Sequence, residues 1–126
     1  MPTPIRVLLV DDHALFREAL RMSLEMSPDI EVVAEAHSST STLAALAQSL
    51  PDVVCMDINL VGYSGIELTR QLLALYPDLK IIGLSADSDP TRVADMRRAG
   101  ACGYVIKAQA GVDLPQAIRE ALLSQP

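Results

Sequence analysis

Five short apolar runs recur along the chain, and four of them stop abruptly at a polar residue. Ile5-Arg6-Val7-Leu8-Leu9-Val10 stops at Asp11-Asp12-His13, and Val53-Val54-Cys55-Met56 stops at Asp57. Lys80-Ile81-Ile82-Gly83-Leu84 stops at Ser85, and Gly103-Tyr104-Val105-Ile106 stops at Lys107. Runs this short, rich in β-branched residues, predict strands buried on both faces of a parallel sheet. The fifth run, Ile30 to Ala36, carries Glu31 and Glu35, which suits an edge strand.

Between the runs, apolar residues recur at helical spacing. A first helix is predicted over about Ala14–Met26, capped by Asp12, with Phe16, Ala19, Leu20 and Leu24 inward and Leu15, Met22 and Met26 outward. Ser38-Ser39-Thr40-Ser41 offers N-caps for a second helix to about Leu50, with Leu43, Leu46 and Leu50 inward. A third runs from about Ile66 to Tyr76 on Ile66, Leu68, Leu72, Leu73 and Leu75. Asp89-Pro90 caps and opens a fourth, with Val93 and Met96 inward and Gly100 as its left-handed terminator. Asp113-Leu114-Pro115-Gln116 resembles a capping box for the last helix, whose buried stripe is Leu114, Ile118, Ala121 and Leu122.

Strand and helix thus alternate five times, which predicts an α/β fold: a five-stranded parallel sheet in a flavodoxin-like (βα)5 three-layer sandwich. The common order 2-1-3-4-5 places the first and third strands side by side, with a crevice at their carboxyl ends. Asp11, Asp12 and Asp57 then converge on that crevice, flanked by Ser85 and Lys107.

Composition narrows the chemistry. A length of 126 residues is one domain's worth, and half the residues are apolar, enough for a real core with few aromatics. The net charge of −6 argues against nucleic-acid binding by this segment and suits a cation or a basic partner. Cys55 and Cys102 lack a CxxC neighbour, so two reduced core thiols are expected. No secretory leader precedes the first strand and no apolar run approaches the ~20 residues of a membrane span, so a soluble cytoplasmic domain is the expectation.

Three clustered carboxylates repel one another unless a cation sits among them. Oxygen ligands in an open crevice favour Mg²⁺ or Mn²⁺. A carboxylate beside such an ion can attack phosphorus and form an acyl phosphate. An ammonium (Lys107) and a hydroxyl (Ser85) are the partners that developing phosphoryl charge needs. Each residue also has a bland reading. Asp12 alone is as readily a helix cap, Ser85 ordinary turn chemistry, Lys107 a solvated lysine and Tyr104 a half-buried strand aromatic. His13, His37 and the Arg92, Arg97, Arg98 cluster read as surface.

Val10-Asp11-Asp12-His13, Asp57 at the end of an apolar strand, Gly65 eight residues later, Ser85-Ala86 and Gly103-Tyr104-Val105-Ile106-Lys107 occur in order. Together they resemble the receiver domain of a bacterial two-component response regulator, over about Ile5 to Leu123. Asp-Asp-His-Ala-Leu-Phe-Arg after the first strand is similar to the NarL/FixJ (LuxR-type) subfamily. The resemblance implies one receiver domain over 1–126 whose Asp57 accepts a phosphoryl group from a sensor histidine kinase. It implies Mg²⁺ held by Asp12, Asp57 and the backbone carbonyl of Asn59, with Asp11 in the second shell or acting through water. Ser85, Lys107 and the Ala86 backbone would bind the phosphoryl group, and Ser85 and Tyr104 would switch together. Asn59 and Asp87 would tune the acyl phosphate's lifetime. Output would be a homodimer or a change in transcription, DNA being bound only through a C-terminal helix-turn-helix domain outside this chain.

Two departures stand out. The family usually has Met-Pro where this chain has Leu60-Val61, which predicts a differently shaped or more flexible loop. It usually has proline after the lysine, often in a cis bond, where this chain has Ala108; a trans bond and a shifted Lys107 are therefore expected. The competing readings are four. A haloacid-dehalogenase-like phosphatase needs Asp-x-Asp on its first strand, whereas Asp57-Ile58-Asn59 lies on the third and Asn59 cannot act as an acid. A flavin module would meet repulsion from Asp11-Asp12 where its phosphate should sit. A receiver-like domain that switches by contact, without phosphorylation, and the phosphoacceptor switch itself complete the set.

Overall fold

The computed structural model describes residues 3–123; Met1, Pro2 and Ser124 to Pro126, the ends of the expected 1–126 domain, lie outside the described residues. The chain runs β1 (Ile5–Val10), α1 (Ala14–Leu24), β2 (Ile30–Ala36), α2 (Ser39–Gln48), β3 (Val53–Asp57), β4 (Asn59–Leu60), β5 (Tyr63–Ser64), α3 (Gly65–Leu75), β6 (Lys80–Ser85), α4 (Pro90–Ala99), β7 (Gly103–Ile106) and α5 (Ala110–Leu123), with a 3-10 turn at Lys107–Gln109. The main sheet is parallel throughout, in the order β2-β1-β3-β6-β7. Because β4 and β5 pair only with each other as a small antiparallel hairpin, this is the expected 2-1-3-4-5 arrangement.

Side chains alternate across the sheet and fill two separate cores. On one face Val7, Leu9, Cys55, Ile82, Leu84 and Val105 meet Leu20 and Leu24 of α1 and Leu114 and Ile118 of α5. On the other, Leu8, Val10, Val54, Met56 and Ile81 meet Leu46 of α2, Leu68 and Leu72 of α3 and Met96 of α4. Each fully buried aliphatic side chain contributes about 1.5–3 kcal/mol, so the central strands are the most firmly held part of the chain. No helix among the described residues is long and apolar enough to cross a membrane.

Several expected details shift. α1 ends at Leu24, two residues early, and Ala19 is exposed, as are Leu15, Met22 and Met26. α2 ends at Gln48, short of Leu50; its inward residues are Thr42 and Leu46, while Leu43 faces solvent, as does Leu50 beyond its end. Thr42 can be buried because its hydroxyl donates to the Ser38 carbonyl, 2.7 Å away. In α3 Leu75 points outward, and Ile66 and Leu73 are half-buried. Ser38 does cap α2, in a reciprocal box with Ser41. Asp89 caps α4, which ends at Gly100 as expected. The last helix does not begin at Asp113: the 3-10 turn delivers buried Ala110 into its first position, and Pro115 lies inside the helix. Cys102 is exposed rather than in the core, and both thiols are free.

Candidate functional site

The carboxyl ends of β1, β3, β6 and β7 lie along one edge of the parallel sheet. Asp11 follows β1 directly and is 1% exposed. Its N–H donates to the Ala36 carbonyl, its Oδ1 accepts from the His13 N–H at 2.7 Å, and its carbonyl accepts from Arg17. The side chain is thereby aimed across the sheet rather than along α1. Asp57 ends β3, is 2% exposed, and its Oδ1 accepts from the Asn59 N–H at 2.9 Å.

Lys107 reaches both acids from the end of β7. Its Nζ lies 2.8 Å from Asp11 Oδ2 and 3.2 Å from Asp57 Oδ2, and sits 5.0 Å above the centre of the Phe16 ring. The approach to Asp11 is a close ion pair without an aligned hydrogen bond, so this buried oxygen keeps accepting capacity. No peptide bond among the described residues is cis, in line with the trans bond expected before Ala108, and the ammonium still reaches the carboxylates.

Asp12 does not cap α1. The N-cap is His13, without a side-chain hydrogen bond. Asp12 instead turns to the β4–β5 hairpin, where its Oδ2 accepts from the Val61 N–H at 2.5 Å. Asp11, Asp12 and Asp57 each offer a carboxylate oxygen, all within 4.8 Å of one another. Against one ammonium, three carboxylates leave negative charge that a hard divalent cation fits, as does the unaligned oxygen of Asp11. The three acids can hold a metal ion.

Electrostatics follow the geometry. Burial pushes the Asp57 carboxyl above its ordinary 3.8, and the Asp11 charge pushes the same way; the Asn59 N–H and the Lys107 charge oppose this without cancelling it. For Lys107, burial alone would lower the ammonium's pKa, but the Asp11 and Asp57 carboxylates outweigh it and hold the group above 10.5. Lysine and nucleophile candidate thus face each other with the carboxyl buried and the ammonium still open to water.

A second group lies across the sheet edge. Ser85 ends β6, fully buried, and its Oγ accepts from the Asp87 N–H at 3.3 Å. Ala86 and Asp87 are exposed, and the Asp87 carboxylate accepts from the Asp89 N–H. The Tyr104 hydroxyl donates to the Asp87 carbonyl at 3.2 Å, its ring packed beside Met96 in the second core. The Ile58 N–H, donating to the Leu84 carbonyl, ties the Asp57 loop to β6. Asn59 opens β4 and is exposed.

The expected residues therefore fall at one edge of the sheet as two sets, Asp11, Asp12, Asp57 and Lys107 in one and Ser85, Asp87 and Tyr104 linked in the other. Sequence reasoning missed Phe16 beneath Lys107, which reads as core, and Val61, whose contribution is an amide that no side-chain pattern reveals. Gly65 is fixed by the site as well: a Cβ there would strike the Asp57 carbonyl oxygen and Ile58 Cα.

The family model for the response regulator receiver domain matches residues 7–119. The transcriptional regulatory protein DegU of Brevibacillus brevis is 36% identical over 115 residues, covering 91% of this chain and 49% of that protein. LiaR of Bacillus subtilis is 38% identical over 122 residues, covering 97% and 58%. The chain thus spans about half the length of the curated relatives it matches. Among solved structures, a LuxR-family response regulator from Aurantimonas superposes with a TM-score of 0.92 at 33% identity, covering 98% of this chain and 88% of that one. The receiver domain of NarL from Mycobacterium tuberculosis gives 0.90 at 27% identity, covering 98% and 100%. With three strand ends bringing an acidic cluster and a lysine together, and a family match over nearly its whole length, this chain belongs to the response regulator receiver domains of two-component systems.

Proposed function

We propose that Asp57 is the phosphoacceptor of a two-component switch, phosphorylated by a sensor histidine kinase. The observation that carries the reading is the buried Asp57 carboxylate, set between Asp11, Asp12 and the Lys107 ammonium. Asp12, Asp57 and the Asn59 backbone carbonyl would hold Mg²⁺ or Mn²⁺, with Asp11 acting in the second shell or through water. That ion supplies positive charge for the carboxylates and the phosphoryl oxygens.

An Asp57 oxygen attacks the phosphorus of a phosphohistidine. The O–P bond forms as the N–P bond breaks, and the electron pair returns to the imidazole nitrogen, which takes up a proton. Lys107 favours the ionised nucleophile beforehand and then pairs with a phosphoryl oxygen. Ser85 turns its hydroxyl from the Asp87 N–H toward another phosphoryl oxygen, next to the Ala86 amide. As the β6–α4 loop follows, the Tyr104 hydroxyl leaves the Asp87 carbonyl and the ring turns inward. The surface formed by α4, β7 and α5 changes, which biases a two-state equilibrium toward a homodimer or another output. Asn59, whose N–H donates to the acceptor, and Asp87, in the loop after Ser85, are both exposed and would set how readily water reaches the acyl phosphate. Turnover is limited to self-phosphorylation from a donor and autodephosphorylation. The chain acts as a single receiver domain over 1–126 in the cytoplasm, with DNA binding left to a C-terminal domain.

The test is intact-mass analysis after incubation with a small phosphodonor and Mg²⁺, beside Asp57→Ala. The expected result is a hydroxylamine-labile gain of one phosphoryl group, absent in the variant and without Mg²⁺. No gain from a chain shown to bind Mg²⁺ would replace this reading with a receiver that switches by contact alone.

A further inference from the structure

Asp12 reaches across to the tip of the β4–β5 hairpin, 49 residues along the chain, and takes its hydrogen bond there from a backbone amide. Leu60 pairs with Tyr63, so Val61 and Gly62 are the two turn residues. The Val61 side chain is 89% exposed, and Gly62 takes the positive φ of 76° that the turn requires. What residue 61 brings to the site is therefore its N–H. A carboxylate has about four acceptor positions on two oxygens. Asp12 can accept this amide and still offer an oxygen to a cation shared with Asp11 and Asp57. Carboxylates that ligate metals are held by such outer hydrogen bonds, and losing one typically weakens affinity about 10–100-fold.

We infer that the Val61 amide is the group that positions Asp12 in the cation site, as the His13 and Asn59 amides hold the other two acids, and that through it the hairpin is mechanically joined to whatever ion the three acids hold. The inference rests on the reading that these acids take Mg²⁺. Coupling of this kind is reciprocal, so bound Mg²⁺ stiffens the hairpin as much as the hairpin prepares the site. Residue identity at 61 becomes a control on metal affinity although its side chain touches no ion. Proline, the residue common here in the family this chain resembles, has no N–H to give.

The turn makes a clean experiment possible. Proline is favoured at the first turn position when the second has positive φ, so Val61→Pro removes the donor and keeps the hairpin. Val61→Ala keeps the donor. Titration calorimetry of the unphosphorylated protein with Mg²⁺ is expected to show affinity about tenfold weaker for Val61→Pro and restored in Val61→Ala. Amide exchange gives a readout independent of the proline variant: Val61 should be protected in the parent chain, further protected by Mg²⁺, and deprotected in Asp12→Ala. Affinity of Val61→Pro within twofold of the parent, or a Val61 amide that exchanges as fast in the parent as in Asp12→Ala, overturns the inference alone. A parent chain that binds no Mg²⁺ overturns the functional reading and this inference with it.

Discussion

Replacing Lys107 with glutamine keeps a polar side chain of similar reach and deletes one charge. That charge stands 2.8 Å and 3.2 Å from two carboxylates that are 2–3% exposed, and its own side chain is 22% exposed. Removing one partner of a buried ion pair costs about 3–5 kcal/mol, because the other partner is left desolvated and uncompensated. The crevice opens to water at Lys107, so the low end applies, about 3 kcal/mol. For a domain of this length, each kcal/mol moves Tm by about 3–5 °C, which gives a fall of roughly 10 °C. Thermal and urea unfolding of Lys107→Gln in EDTA measures it. Two features separate this mechanism from general damage. Mg²⁺ should restore more stability to the variant than to the parent, since the bare carboxylates hold the ion more tightly and binding stabilises by mass action. Asp11→Asn combined with Lys107→Gln should lose at least about 1 kcal/mol less than the two single losses added. The pH dependence has a defined sign. The folded-state pKa of Lys107 is raised, so its contribution is complete below 10.5 and lost as pH climbs through the higher folded value. A loss under about 0.5 kcal/mol in EDTA, the size of an ordinary surface substitution, would refute the reasoning, as would equal rescue of both proteins by Mg²⁺.

Asp57→Asn is expected to raise Tm at neutral pH without metal: burial lifts the carboxyl's folded pKa above 3.8, so folding favours the protonated form and stability falls as pH rises through that window. Melts from acid to neutral pH should show this decline in the parent and a flatter profile in the variant, and a lower Tm for Asp57→Asn at every pH would sink the assignment. Gly65→Ala drives a Cβ into the Asp57 carbonyl and Ile58 backbone, which cannot yield as a side-chain tip would. A loss of about 3 kcal/mol in urea denaturation is expected, with slowed phosphorylation of Asp57, and a parental midpoint would contradict the packing.

How much of this was legible in the sequence varies with the residue. β1, β6 and β7 occupy their expected spans because a largely apolar run that ends in a charge or hydroxyl leaves little choice of boundary. The convergence of Asp11, Asp57 and Lys107 was legible too, since parallel strands deliver their ends to one edge. The start of α5 was not, because Asp113 and Pro115 imitate a helix N-terminus. The true start depends on Ala110 filling a buried site after a 3-10 turn, a tertiary effect. The α2 stripe was misplaced because a threonine whose hydroxyl is satisfied by its own helix behaves as an apolar residue. Asp12's place in the acidic cluster was legible, but its role as a cap fails because caps are local, whereas its partner is a backbone amide in a distant hairpin.

The separation of the two cores has a further consequence. Asp57 follows Val53 and Cys55 in the alternation that points toward α1 and α5, and Lys107 follows Val105 on the same side, above Phe16. Ser85 follows Ile81 in the opposite phase, where Met96 and Tyr104 lie. The sheet is therefore a wall with acid and ammonium on one side, hydroxyl and aromatic ring on the other. Under the proposed function, a phosphoryl group on Asp57 would have to reach over the top of this wall to touch both sides. One residue inserted into β3 would leave a strand just as apolar to any hydropathy profile, yet carry Asp57 to the wrong side of the wall.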